Sequence, residues 1–326
     1  MKKIIKVAAA TFAALALVLG TSNMAQAVAT RAIATGNTLY GLDGSGSGAY
    51  GTLYNLNPLT AAATAVGSRG GAGTYDYAYQ GAFNLADGQI YWSGVVNDGE
   101  TLWKSNPSTG AATRIAEFKE NGTNVVINAL AIDASGHAFG TSNFKLYSVN
   151  LTTAALTLVT SALPKDRFYS FAFNPNDSKF YGISFANGGG LYEMNVSDGS
   201  VTQLIAMTSF PDLGAGTGAN ARKVYSIAFD QNGSLWGINQ NGDVFSDVVT
   251  GTNAADFMTG VQVLGTPGSS ATNSLAVTYP APSSGTGGGL ANTGTADGLL
   301  NALATGAALA IALGATLTVY GRRRTL

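Results

Sequence analysis

Few side chains in this 326-residue chain could carry covalent chemistry, and their types narrow the choice. There is no cysteine and a single histidine, His137. Disulfides, thiolate metal sites and cysteine nucleophiles are excluded together, and a histidine-built zinc site or a His-dependent triad has too few members. Carboxylates remain. Paired acids could hydrolyse a glycosidic bond, with Asp76, Asp133, Asp166 and Asp230 as the nearest candidates. Most acids fall in turns, however, and the predicted innermost strands carry few. Asp133-Ala-Ser-Gly136 and Asp230-Gln-Asn-Gly233 hold part of a calcium-loop spacing, but calcium needs 6–8 oxygens and the closing glutamate is missing. Asx hairpin turns account for both. His137, beside one such turn, reads as a solvated strand residue. No catalytic residue, metal or cofactor is assigned. The better chemistry is binding: Tyr79, Asn128, Tyr169, Tyr225 and Asn273 recur at one position of a repeat. Tyr75 and Tyr77 precede the first, and Arg167, Arg222 and Lys223 lie near others. Aromatic rings with polar tips and a few cations can grip a sugar or a peptide.

The repeat positions them. A polar or Tyr start, a small residue and an Ala before a large apolar residue appear at Tyr79–Phe83, Asn128–Ile132, Tyr169–Phe173, Tyr225–Phe229 and Asn273–Val277. After an Asp-, Asn- or Gly-rich turn comes an apolar–aromatic pair: Leu39-Tyr40, Ile90-Tyr91, Ala138-Phe139, Phe180-Tyr181 and Leu235-Trp236. A second pair follows: Leu53-Tyr54, Leu102-Trp103, Leu146-Tyr147, Leu191-Tyr192 and Val244-Phe245. An Asx turn and a short alternating segment close each unit, the turns starting at Asn57, Asn106, Asn150, Asn195 and Asp247. Nothing long between 28 and 280 keeps a helical period, so each unit reads as four short antiparallel strands. Units of 41–56 residues built this way are the pattern of propeller blades, which hide their faces by stacking around an axis.

Residues 28–280 are therefore expected to form an all-β, five-bladed β-propeller, with six blades as the alternative if Val28–Ala34 and 252–272 contribute one more. The fifth copy of the first pattern arrives after the last complete unit. It should join the first blade and close the ring, with Ser274–Val277 alongside Thr38–Gly41. Ala82, Ala131, Ala172, Ala228 and Ala276 suit crowded innermost strands.

Both ends read as processing signals. Lys2, Lys3 and Lys6, the uncharged run Val7–Leu19 and Ala25-Gln26-Ala27 make a secretory signal peptide over 1–27, cleaved between Ala27 and Val28. Residues 281–289 are a Gly/Ser linker. Leu290-Ala291-Asn292-Thr293-Gly294 follows, then 24 uncharged residues (298–321), enough for a transmembrane helix of about 36 Å, and then Arg322, Arg323 and Arg324. This order, at the extreme C-terminus, resembles the cell-wall sorting signal of Gram-positive surface proteins. Ala291 stands where the usual motif has proline, similar to the Leu-Ala-x-Thr-Gly variant associated with actinobacterial sortases. The resemblance covers 290–326. It implies cleavage between Thr293 and Gly294 and transfer of the Thr293 carbonyl to an amine of peptidoglycan, with sortase as the enzyme and this chain as its substrate.

Processing at both ends would leave 28–293, with 11 basic and 17 acidic residues and a net charge of −6. No basic excess exists to hold nucleic acid. The expected product is a secreted surface protein in the cell wall, membrane-bound only through its C-terminal helix before processing. It would display a non-catalytic propeller toward an extracellular glycan or protein. The alternative is a wall-bound glycoside hydrolase, an activity that some five-bladed propellers carry.

Overall fold

The computed structural model describes residues 33–43, 52–68, 75–96, 99–165, 167–185, 189–211, 213, 222–247, 261–267 and 272–280. The signal segment 1–27, the linker 281–289 and the tail 290–326, with its Leu290–Gly294 motif, lie outside the described residues. The strands are β1 (Thr38–Asp43), β2 (Thr52–Leu56), β3 (Ala63–Ser68), β4 (Tyr75–Asn84), β5 (Gln89–Val96), β6 (Gly99–Ser105), β7 (Ala112–Glu117), β8 (Lys119–Glu120), β9 (Thr123–Asn124), β10 (Ala129–Ile132) and β11 (Ala138–Ser142). They continue with β12 (Lys145–Val149), β13 (Ala155–Thr160), β14 (Ser170–Asn174), β15 (Lys179–Ser184), β16 (Gly190–Met194), β17 (Val201–Ala206), β18 (Val224–Phe229), β19 (Leu235–Asn239), β20 (Val244–Asp247), β21 (Gln262–Gly265) and β22 (Thr272–Thr278). One 3-10 turn, Met207–Ser209, is the sole helical element among the described residues.

Five sheets result, and they are the blades of a β-propeller. Blades 2, 4 and 5 run β4–β7, β14–β17 and β18–β21 from inside to outside, while blade 1 takes the order β22-β1-β2-β3. The innermost strands β4, β10, β14, β18 and β22 adjoin one another in a closed circle. Closure follows the sequence expectation: Leu39 pairs with Val277, Tyr40 with Ala276, Gly41 with Leu275 and Leu42 with Ser274. One sheet thus holds both ends of the domain, and no inner edge is left unpaired. The ring has five members. Gln262–Gly265 is the outer strand of blade 5 rather than part of a sixth blade.

One blade departs from four strands. Blade 3 has six, in the order β10-β11-β12-β13-β8-β9. The chain leaving blade 2 lays β8 parallel along β13, pairing Lys119 with Ala155 and Glu120 with Leu156. Glu120 fastens this hairpin by accepting hydrogen bonds from Lys145 Nζ and Tyr147 Oη, each at 3.0 Å. The repeat alone carries no signal for this extension, because only blade 3 has it.

The repeated pairs acquire a shared geometry. Each aromatic on a second strand faces the alanine of its innermost strand: Tyr40–Ala276, Tyr91–Ala82, Phe139–Ala131, Tyr181–Ala172 and Trp236–Ala228. Bulk on one strand is matched by its absence on the next. Aromatics of the third strands lie opposite Gly41, Gly140, Gly182 and Gly237. An added Cβ on Gly237 would come within 2.2 Å of the Phe245 ring, so that ring occupies the space a side chain would need. In blade 2, Trp92 takes the glycine's place and stacks on Trp103 at 5.4 Å. The Asx turns between third and fourth strands follow one plan, with Asn57, Asn106, Asn150 and Asn195 Oδ1 accepting amides two residues ahead at 2.8–3.0 Å.

Candidate functional site

The innermost strands start at what is called here the upper face. Each expected rim residue sits at a β-bulge there. In blades 1, 2 and 5 the register slips at Asn273, Tyr79–Gln80 and Tyr225. In blades 3 and 4 the amides of Asn128 and Tyr169 donate to Thr141 O and Ile183 O, the partners of the residues that follow them. A bulge bends the strand and re-aims a side chain, here off the regular pleat at the mouth of the ring. The side chains of Tyr79 and Asn273 lie outside the described residues, as do those of Tyr75, Tyr77, Asp76 and Asp166.

Of the other three, Asn128 is buried, whereas Tyr169 and Tyr225 are half-buried. Their rings lie nearly parallel at 6.3 Å, and Phe185, at the end of β15, completes a trio. Phe185 stacks on Tyr169 at 4.2 Å and meets Tyr225 at 5.7 Å. The exposed Arg167 places its guanidinium carbon 5.4 Å from the centre of the Tyr169 ring, within cation–π range. Burial, and to a smaller extent the neighbouring Tyr169, raise the Tyr225 hydroxyl above its ordinary pKa. Phe185 was not legible as a site residue, because the sequence reading followed only the innermost strands.

A second group missed by the sequence lies close by. Glu100, at the start of β6, is 5% exposed, and neither carboxylate oxygen has a hydrogen-bond partner. Burial pushes its carboxyl well above the usual range; the Ile127 amide and the Arg167 charge oppose this without overcoming it.

The axis below the rim is blocked. Bulging of β4 turns the fully buried Gln80 across the ring. Its Oε1 accepts from Ser170 Oγ at 2.7 Å and Ser226 Oγ at 3.3 Å, and its Nε2 donates to Ile227 O at 3.2 Å. Ser170 Oγ in turn accepts from the Ile227 amide, and Ser226 Oγ from the Leu275 amide, stitching blades 4, 5 and 1. Beneath this plug the five repeated alanines line an axial cavity of about 30 Å³, with Phe83 and Tyr279 among its lining residues. That volume suits a water, not a sugar.

The remaining candidate acids stand at the opposite, lower face. Asp133 Oδ1 accepts the amides of Ser135 and His137, and Asp230 Oδ1 those of Asn232 and Ser234. Both are turn residues, consistent with Asx chemistry. His137 is exposed, its Nδ1 3.0 Å from Asp133 Oδ2. Among the described residues, no three acids or histidines are grouped to hold a metal, and no carboxylate lines the axial cavity.

No protein-family model matches the chain, and no curated protein does. Solved structures with a similar fold include a chain of the nidogen/laminin complex (TM-score 0.49, 11% identity, covering 74% of this chain and 98% of that one). TolB from Acinetobacter baumannii has a TM-score of 0.42 at 15% identity, covering 71% of this chain and 53% of that one. A GH43 glycoside hydrolase engineered to show endo-xylanase and exo-arabinofuranosidase activity has a TM-score of 0.47 at 14% identity, covering 80% and 56%. This chain thus spans little more than half of the last two.

Proposed function

We propose that this protein is exported, joined to the cell wall at Thr293, and displays its propeller as a binding module whose upper rim meets extracellular ligands. One observation carries the reading: the point where the described chain ends, at Pro280, and the aromatic rim lie on opposite faces of the propeller. The first blade opens at Thr38 and the closing strand ends at Thr278, paired with it, both at the lower face. Gly36 and Pro280 adjoin there, since an added Cβ on Gly36 would lie 3.3 Å from Pro280 Cγ. The linker and sorting-type tail follow Pro280 in the sequence, so the chain leaves the propeller on the face opposite Arg167, Tyr169, Phe185 and Tyr225. The rim has the makings of a recognition surface, with aromatic faces, phenol donors and a cation. Sortase and peptidoglycan are the partners in attachment.

Thr293→Ala tests the attachment. The wild-type protein should remain with boiled, detergent-washed wall sacculi and be freed by muramidase; the variant should shift to the membrane fraction or the medium. Unchanged muramidase-dependent release would overturn the attachment. Tyr169→Ala/Tyr225→Ala tests the rim: it should cut retention of the soluble domain on extracellular glycans without lowering its melting temperature by more than a few degrees.

A further inference from the structure

We infer that the Arg167–Tyr169–Phe185–Tyr225 cluster recognises a carboxylate-bearing sugar ring, such as a hexuronic acid unit of an extracellular glycan. The inference rests on the rim being the binding face and names the ligand class for it. Three features lead there. The cluster holds three aromatic rings at the mouth of the ring, two of them half-buried tyrosines. Such rings suit the flat apolar face of a pyranose and offer its hydroxyls polar tips. Next, Arg167 is exposed yet fixed in place by the Tyr169 face, so its five N–H donors need little ordering before they meet a carboxylate in bidentate fashion.

The third feature is charge. Arg167 makes no ion pair with a carboxylate among the described residues. Among the described residues Glu100 is the acid that Arg167 acts on, and that glutamate is 5% exposed, where burial disfavours the charged form. Lys223, at the entry to β18 two residues before Tyr225, adds a cation to the same side of the rim. By contrast Lys145 and Lys179, elsewhere on the ring, are matched by Glu120 and Glu193 at 3.0 and 2.9 Å. A neutral sugar would use the rings and leave Arg167 idle. A chain of polyol phosphates would use the cation and leave the rings idle. A hexuronic acid uses both.

Calorimetric titration of the soluble domain (28–280) with tetragalacturonate, its methyl ester and poly(glycerol phosphate) tests this. Tetragalacturonate should bind and weaken with salt, and the ester should bind about tenfold or more weakly, as expected for loss of one charge-assisted bidentate contact. Arg167→Gln should remove that preference, whereas Lys179→Gln, at the lower face, should leave it intact. Equal affinity for acid and ester, no binding of the acid, or tighter binding of poly(glycerol phosphate) would each overturn the proposed ligand class. The broader reading separates cleanly. If Tyr169→Ala/Tyr225→Ala abolishes retention on neutral glycans while Arg167→Gln does not, the rim remains the binding face and only the ligand class falls. If neither variant changes retention on any glycan, both fall.

Discussion

Glu100 shows how a single residue can act against the fold that contains it. Burial raises the pKa of its carboxyl well above the usual carboxylate range. In the unfolded chain it ionises near its ordinary pKa; in the folded chain it keeps its proton to higher pH. Below the unfolded value both states are protonated and nothing is lost. As pH rises through that value the unfolded state gains by ionising, so stability falls until the folded pKa is reached. Glu100→Gln removes this. The variant should match the wild type at about pH 4 and be more stable than it at pH 8. Urea midpoints at the two pH values measure it, and a less stable variant at pH 8 would mean the carboxylate is paired after all.

At the scale of the element, the bulge at the start of each innermost strand organises the site. In blades 4 and 5 it is followed by serines that bond to the next blade, while blade 2 has Gln80 and blade 3 has Ala129, which has no hydroxyl. Gln80 links its own blade to blades 4 and 5. Gln80→Ala removes a partner from two buried serine hydroxyls and from the Gly81 and Ile227 carbonyls, and should cost about 1–3 kcal/mol in chemical denaturation. A neutral effect would mean that water replaces the amide without loss. Packing on the second strand gives another test. Gly237→Ala drives a methyl into the Phe245 ring, 2.2 Å away, and should cost at least about 1–3 kcal/mol through overpacking. Circular dichroism melts would register it as a drop of several degrees.

For the whole molecule, stability depends on β22 closing the ring. Truncation after Ala271 strips β1 of its inner neighbour, uncovers the edge from Thr38 to Leu42 and removes Ser274–Val277 from the core. The truncated domain should lose its cooperative melt and self-associate on size exclusion, because an exposed inner edge is a template for pairing. A monomer with an unchanged melting temperature would show that four and three-quarter blades suffice. The same closure places both described ends of the domain, Thr38 and Thr278, at the lower face.

Much of this could be read along the chain. Five repeated patterns with a displaced fifth copy determined the number of blades and the closing strand, since strand periodicity, Asx turns and aromatic–alanine matching are local or nearest-neighbour properties. The Tyr169 and Tyr225 positions were legible for the same reason. Tertiary structure alone decided the rest. Phe185 joins the site from a second strand, Glu100 is orphaned by burial between blades, Gln80 crosses the axis through a bulge, and the 118–128 connection widens blade 3. Each depends on which residues meet across blades far apart in sequence, and side-chain desolvation at such junctions leaves no trace in spacing or composition.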